Sequence, residues 1–498
     1  MSDTRALLNR IAEFRQRLEA MPRLVPPDVT TPPPPIGLAR GPEEAVARKV
    51  EAGSRTQSII EYSLRQLAGT DDAGPTATKL THRARRLLIE AQALVTRLRA
   101  LADDPMLAGP PAGNDGTAPD GDVLAIHYRE TAAMTEAAVR YALTFPDLAT
   151  EQMRLCEGLE GMLDAAQRRL GLLASALERR RVEADRLEIL ARFLTALDQA
   201  DGPIDPSPVV ELADALIAEE PGRPLRFLYE SPLATQAHLG GESYPAPARY
   251  VAAHAINCAK VMARVVRHDQ EWRSRPREAV LAALLHDVGM LRVDPAVLAQ
   301  STPLTAEQAR YVEGHTRYGA EAVATRLPTL DGLAEAVAVH HERADGTGYP
   351  SGVKDVKLSP LAKLVAVVDV YAAMAAPRPH RPAADTRTAL TDTLLMAERG
   401  LLDRSAAETM LSLGFYPAGT VVELADGSAG VVIANRDPRT ALPLAGRPIL
   451  ALMADPNGRP YPTPRYLDLA ESETGSVVRA LPAPERLKRL ARHYPEWV

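Results

Sequence analysis

The chain has 498 residues, which is too long for one ordinary hydrophobic core and predicts about two to four domains. Apolar residues make up 46% of the chain and charged residues 24%, and these ordinary values exclude a chain that is disordered throughout. A net charge of −6 argues against a protein that coats DNA. Only two cysteines occur, Cys156 and Cys258, which excludes a disulfide framework and a cysteine-based zinc site.

Neither a secretory signal nor a membrane span is expected. Residues 1–23 carry charge throughout and lack the apolar core of a signal peptide. No run of about 18 apolar residues occurs anywhere in the chain. Together with the low cysteine content, these features predict a cytoplasmic protein.

The first 200 residues show helical periodicity that proline-rich and glycine-rich segments interrupt. Residues 1–21 predict a short amphipathic helix, and the eight prolines within residues 22–42 predict a stiff linker. Residues 43–200 predict a helical region with a flexible loop at 105–122, which is rich in Gly, Pro and Asp. The apolar residues from Leu155 onward are spaced by three and four, which is typical of a helical bundle or of the arm of a coiled-coil dimer.

The hydrophobic period changes near residue 415. Residues 201–414 are predicted to be helical, after a break at 201–208 that contains glycine and three prolines. Residues 415–498 predict a small β-rich appendage with a terminal helix at 484–493, since short apolar segments alternate with turn signals. Strands are expected at residues 420–424, 430–433 and 448–452. The predicted fold is therefore mainly α, with a helical N-terminal region, an all-α bundle and the β-rich appendage.

Histidines and aspartates recur inside apolar helical sequence between residues 254 and 369. The pair His286-Asp287 follows Ala-Ala-Leu-Leu, and Asp369 follows Val-Ala-Val-Val. An unpaired buried carboxylate costs on the order of several kcal/mol, and no Lys or Arg stands at helical spacing close to Asp287. A bound cation would stabilise all of these groups together. The predicted ligands are His254, His286, Asp287, His315, His340, His341 and Asp369.

This donor set contains imidazole nitrogen and carboxylate oxygen but no thiolate. Such a mixture suits iron, manganese, nickel or zinc and disfavours magnesium and calcium. Seven ligands are too many for one tetrahedral site, so two divalent ions are expected, iron or manganese before the others, with Asp287 able to bridge them. Paired metals about 3.5–4 Å apart are a standard arrangement for phosphoester hydrolysis.

A glycine-containing loop follows the second histidine pair, in the sequence HHERADGTGYP at residues 340–350. Gly346 and Gly348 permit a tight turn, and Pro350 stiffens its exit. Tyr349 offers a ring and a hydroxyl group close to the predicted metals. The loop is therefore a candidate for contacting a substrate.

Several other residues have two interpretations. Arg378 and Arg381 lie in a proline-braced loop after the Asp369 helix, where they suit phosphate recognition slightly better than a solvated surface. Arg343 and Asp345 suit ligand binding and a local salt bridge or turn cap equally well. Cys258 lies one helical turn after His254 and could face the metals, but a small buried hydrophobic residue is the favoured interpretation.

These motifs resemble the HD-GYP family, a branch of the HD-domain metal-dependent phosphohydrolases, over about residues 208–413, within a predicted domain at 201–414. The HD pair is His286-Asp287, and the GYP element is Gly348-Tyr349-Pro350. The remaining family positions match His254, His315, His340, His341, Asp369 and the loop from Arg378 to Arg381. The resemblance implies an all-α HD-type bundle and hydrolysis of cyclic di-GMP to pGpG, in some members onward to GMP.

Two positions depart from the family pattern. The family usually has Lys three residues after the HD aspartate, where this chain has Met290, and losing that cation should weaken phosphate binding. Members with three metals carry Glu where this chain has Tyr250, so a two-metal site is expected.

The expected function is therefore metal-dependent hydrolysis of cyclic di-GMP in bacterial second-messenger signalling. His286 and Asp287 would be catalytic, and Gly348, Tyr349, Arg378 and Arg381 would contact the substrate. The alternatives are a weak or inactive cyclic-dinucleotide-binding module, because of Met290, and an HD phosphohydrolase for another phosphoester. The N-terminal helices could form a homodimer or dock a signalling partner such as a diguanylate cyclase, and no DNA partner is expected.

Overall fold

The computed structural model describes residues 75–102, 104–108, 121–142, 149–220, 225–233, 247–330, 332–354, 357–378, 381–435, 446–472, 475–481 and 483–490. The helix expected at 1–21, the linker at 22–42 and the first part of the helical region, 43–74, lie outside the described residues. Over the described residues the fold is mainly α-helical, with a small five-stranded sheet near the C-terminus, which confirms the predicted fold class.

The N-terminal helices form a bundle with a leucine-rich core. They are α1 (Pro75–Ala102), α2 (Pro105–Ala108), α3 (Gly121–Ala142) and α4 (Ala149–Gln199). The apolar stripe that begins at Leu155 is buried against α1 and α3 of the same chain, so intrachain packing accounts for it. Helix α2 occupies the start of the segment that was expected to be a loop. A homodimer through these helices stays a prediction.

Helix α4 is the longest element, with 51 residues and therefore a length of about 75 Å. Its C-terminal half leaves the N-terminal bundle and packs against α5 (Ser207–Ile217) and α6 (Ala248–Val265). Leu190 and Leu194 are fully buried there. The same helix therefore contributes to both bundles.

Charged side chains also join α4 to α6. Arg249 on α6 is 7% exposed and donates from Nη1 to the carboxylate of Glu188 at 3.0 Å, and Lys260 on α6 pairs with Glu183. Buried charges are tolerated only when they are paired, because an isolated charge loses its hydration. The two ion pairs therefore fix the position of α6 along α4.

The second bundle surrounds α6, which is buried along almost its whole length. The other helices are α7 (Pro276–Leu285), α8 (Pro295–Ala299), α9 (Ala306–Glu313), α10 (His315–Arg326), α11 (Leu333–Val339), α12 (Pro360–Ala375), α13 (Thr386–Glu398) and α14 (Arg404–Thr409). Helix α12 directly follows Ser359, whose side chain accepts a hydrogen bond from the Ala362 N–H in the manner of an N-cap.

The C-terminal sheet is antiparallel, with strand order β4-β3-β2-β1-β5. Its strands are β1 (Val421–Leu424), β2 (Ala429–Ala434), β3 (Ile449–Ala454), β4 (Pro460–Asp468) and β5 (Val477–Ala480), and helix α15 (Ala483–Leu490) follows. The three predicted strands correspond to β1, β2 and β3. The sequence analysis missed β5 and also β4, which carries prolines at alternate positions, and such a strand is compatible only with a sheet edge.

No helix in the described ranges is both long enough and apolar enough to cross a membrane.

A buried histidine on α3 takes part in a polar network of the N-terminal bundle. His127 donates from Nε2 to the Arg169 carbonyl oxygen at 3.0 Å and accepts at Nδ1 from the Arg169 guanidinium, which also pairs with Glu130. Burial and the neighbouring Arg169 charge lower the pKa of His127 from 6.5 to about 4. This histidine is therefore neutral in the folded protein at neutral pH.

The N-terminal bundle should lose stability as the pH falls from 7 towards 4. The unfolded chain binds a proton at His127 more readily than the folded chain does, so the loss at pH 5 is about 2 kcal/mol. Hydrogen exchange of the α3 amides measures this opening separately from the rest of the chain. A His127→Gln variant should lose most of the pH dependence; an unchanged dependence would contradict the assignment.

Candidate metal centre

All seven predicted ligands come together in one buried cluster. His254 lies within α6, His315 begins α10, and Asp369 lies within α12. The pairs His286-Asp287 and His340-His341 directly follow the ends of α7 and α11. The cluster is thus built by five helices that are far apart in the sequence.

The carboxylate of Asp287 lies between two sets of imidazoles. Its Oδ1 is 3.3 Å from Nε2 of His315 and 3.6 Å from Nε2 of His340. Its Oδ2 is 3.5 Å from Nε2 of His286 and 3.7 Å from Nε2 of His254. Each oxygen therefore faces a different pair of histidines.

Asp369 extends the cluster on one side. Its Oδ1 is 2.9 Å from Nε2 of His254, and its Oδ2 is 3.9 Å from Nδ1 of His341. The potential ligand atoms form two groups, and within each group all atoms lie within 4.8 Å of one another. The groups are His254, Cys258, His286 and Asp369, and Asp287, His315, His340 and His341.

Backbone carbonyls orient three of the histidines. The Nδ1–H groups of His286, His315 and His340 donate to the carbonyl oxygen three residues earlier, at 2.9, 2.7 and 2.8 Å. These carbonyls belong to the last turns of α7, α9 and α11, where a carbonyl group lacks the regular N–H partner four residues later. Because Nδ1 carries the proton, Nε2 presents its lone pair to the cluster.

These lone pairs need an electropositive partner. Nε2 of His286 is buried and has no hydrogen-bond partner in the described part of the chain. Nε2 of His315 lies only 3.4 Å from Nε2 of His340, so two lone pairs face each other unless a proton or a cation lies between them. The C-terminal ends of α7, α9 and α11 add their partial negative charge. The donor set therefore fits divalent cations.

The two carboxyl groups are held in their ionised form. Burial raises the pKa of Asp287, but the imidazoles of His286 and His315 outweigh it and hold that pKa well below its usual range. Burial likewise opposes ionisation of Asp369, and the hydrogen bond with His254 outweighs it and lowers the pKa. Ionised carboxylates are the form that binds a metal ion.

Most of the imidazoles are held neutral, which is the form that a metal binds. Burial lowers the pKa values of His254, His340 and His341. His315 is the exception: burial lowers its pKa, but the neighbouring Asp287 carboxylate outweighs burial and raises it.

The loop with the GYP tripeptide lies against the cluster. The Tyr349 ring centroid is 4.7 Å from that of His341, with the two rings tilted by 32°. Gly348 is required by packing, since a Cβ atom there would lie 2.3 Å from the backbone nitrogen of Arg343. Buried Glu342, which the sequence analysis did not single out, accepts hydrogen bonds from the N–H groups of Ser351 at 2.7 Å and Val353 at 3.0 Å. Glu342 thereby holds the loop.

The two arginines after α12 have different surroundings. Arg378 donates to the Tyr250 hydroxyl at 2.6 Å and lies 3.3 Å from Nδ1 of His254, so its guanidinium orients a predicted ligand. Arg381 donates to the carbonyl oxygens of Ala373 and Met374 and thereby caps the end of α12. Their roles as substrate contacts stay predictions.

The sequence analysis left Arg343, Asp345 and Cys258 with two interpretations each. The Asp345 carboxylate accepts hydrogen bonds from the N–H and hydroxyl groups of Thr347, which is the turn-cap interpretation. Cys258 has its Sγ 3.7 Å from Nε2 of His254, so it does face the cluster. The signal for this contact was the four-residue spacing on one helix.

Comparisons with known proteins concern the same segment. The family model of the HD domain matches residues 240–406. A cyclic di-GMP phosphodiesterase of Pseudomonas aeruginosa is 32% identical over 186 residues, which cover 37% of this chain and 44% of that protein. A 3'3'-cGAMP-specific phosphodiesterase of Vibrio cholerae is 33% identical over 149 residues, which cover 29% of this chain and 31% of that protein.

A solved structure of a HDG"Y"P protein from Bdellovibrio bacteriovorus covers 63% of this chain and 77% of its own, with 11% sequence identity and a TM-score of 0.29. The chain spans less than half of the length of the two curated relatives. Residues 240–406, which contain the His286-Asp287 pair and the Gly348-Tyr349-Pro350 motif, are therefore similar to the HD domain.

Proposed function

We propose that the chain is a metal-dependent phosphodiesterase that hydrolyses cyclic di-GMP. The observation that carries the proposal is the position of Asp287, one oxygen of which faces His315 and His340 while the other faces His254 and His286. A carboxylate shared in this way suits two cations held a few ångströms apart. Two bound divalent ions would supply Lewis acidity and a nucleophilic water at neutral pH for attack on a phosphodiester.

The roles of the protein side chains follow from their positions. His254, His286 and Asp369 would hold one ion, His315, His340 and His341 the other, and Asp287 both. The nitrogen and oxygen donors suit iron or manganese. His286 and Asp287 are the proposed catalytic residues, because both would hold the ions that activate the attacking water. Tyr349, next to His341, would position the substrate.

The choice of substrate draws on the relatives, which are named as cyclic di-GMP and 3'3'-cGAMP phosphodiesterases. Both are cyclic dinucleotides with phosphodiester bonds, so a paired metal centre matches their chemistry. Met290, in place of the family lysine, supports a second candidate: a domain that binds the dinucleotide with little turnover.

The full chain purified with iron or manganese should contain two metal ions, and His286→Ala should reduce that content by at least one ion. Elemental analysis gives the result directly. His268→Ala, at the exposed histidine of the His268-Asp269 dipeptide outside the cluster, is the matched control and should leave the content unchanged. Equal metal content in all three proteins would contradict the proposed ligand set.

Metal-loaded protein should convert cyclic di-GMP to pGpG under reducing conditions, and chromatography measures the product. 3'3'-cGAMP and a mononucleotide phosphodiester are tested as alternative substrates in parallel. Met290→Lys should increase the rate, because a cation near the phosphate stabilises its developing charge. Calorimetric binding without product in either protein would support the binding-module alternative. Turnover of the mononucleotide alone would identify another phosphohydrolase.

Glu342→Gln should raise KM for the dinucleotide by roughly tenfold while the metal content stays constant, because one charged hydrogen bond to the loop is worth about 1.5–3 kcal/mol. Steady-state kinetics measure the effect. The control is Glu321→Gln on the exposed face of α10, which should leave KM unchanged. A lowered metal content with unchanged KM would show that Glu342 supports the cluster and not the loop.

A further inference from the structure

Cys258 belongs to the first group of potential ligand atoms by position. It follows His254 by four residues on α6, and this spacing puts both side chains on one face of the helix. The side chain is 1% exposed. Its Sγ lies 3.7 Å from Nε2 of His254, and the ligand atoms of His286 and Asp369 lie within 4.8 Å of it.

The geometry around Cys258 suits a shared cation. Nitrogen and sulfur ligands of a tetrahedral first-row metal lie about 3.5 Å apart, which is close to the separation between Cys258 and His254. An independent observation points to the same place: Nε2 of His286 is fully buried and lacks a hydrogen-bond partner. Together with the shared Asp287, His254, His286 and Asp369 would give the first ion four ligands, and Cys258 would be the fifth.

The other cysteine of the chain shows the contrast. Cys156 is also fully buried, but it lies in the leucine-rich core of the N-terminal bundle and belongs to neither ligand group. It therefore has the ordinary role of a small hydrophobic residue. The two cysteines form a natural pair for comparison, because they have equal burial and different neighbours.

We propose that Cys258 is a ligand of the metal ion that His254, His286 and Asp369 hold, and that its sulfur makes this position prefer iron, cobalt or zinc to manganese. The inference rests on the proposed metal centre. When the cation binds, the thiol proton passes to solvent and a sulfur–metal bond forms, with no change of oxidation state. Thiolate is a softer ligand than carboxylate, and manganese prefers the harder oxygen donors.

The test is a titration of the full metal-free chain with cobalt(II), followed by absorption spectroscopy. A thiolate ligand gives a sulfur-to-cobalt charge-transfer band in the near ultraviolet, beside the visible bands of the bound ion. Cys258→Ser should lose the near-ultraviolet band, keep the visible bands and bind cobalt about tenfold or more weakly, as expected for disturbing a coordination shell. Cys156→Ser should retain the complete spectrum and the affinity.

Competition between cobalt(II) and manganese(II) supplies a second readout. Cys258→Asp, which offers an oxygen ligand at the same place, should bind cobalt without the near-ultraviolet band and shift the preference toward manganese by about tenfold or more. An unchanged spectrum and preference in both Cys258 variants would overturn the ligand assignment. Absence of cobalt binding by the unmodified chain would overturn the metal centre itself.

Discussion

The second bundle is organised around one largely buried carboxylate. Asp287 is surrounded by four imidazole rings, and such a side chain is stable in an apolar interior only if its charge is matched. The imidazoles that surround it come from α6, α7, α10 and α11, and a cation that they would hold together can match the charge only where these helices converge. The arrangement of the fold and the chemistry of the site therefore have the same physical cause.

The ends of helices provide much of the site's precision. A helix leaves its last carbonyl groups without intrahelical partners, and α7, α9 and α11 use one such carbonyl each to orient a histidine. Each of these carbonyl oxygens accepts a hydrogen bond from Nδ1 of the histidine, so Nε2 is the nitrogen that faces the cluster. Glu342 similarly orients the GYP loop, because its buried carboxylate accepts hydrogen bonds from two backbone N–H groups of the loop.

Residue patterns predicted the mainly α fold, the β-rich appendage and the convergence of the seven ligands, because those features depend on periodicity and on the cost of buried charge. The residue patterns did not predict features that depend on contacts between segments far apart in the sequence. The alternate prolines of β4 argue against a strand until its position at the sheet edge is known. The sequence also cannot show that Arg378 turns toward Tyr250, or that Glu342 reaches residues nine and eleven positions further along. The four-residue spacing from His254 to Cys258 can be read from the sequence, but the proximity of Cys258 to His286 and Asp369 cannot.

The two ion pairs between α4 and α6 also have a mechanical consequence. Sliding one helix along the other by a single turn would separate Arg249 from Glu188 and Lys260 from Glu183, and leaving a buried charge such as that of Lys260 alone costs on the order of 3–5 kcal/mol. The two ion pairs therefore hold the helices in one register. Since His254 lies between Arg249 and Lys260 on α6, the continuous helix α4 connects the N-terminal bundle directly to a helix that carries a predicted ligand.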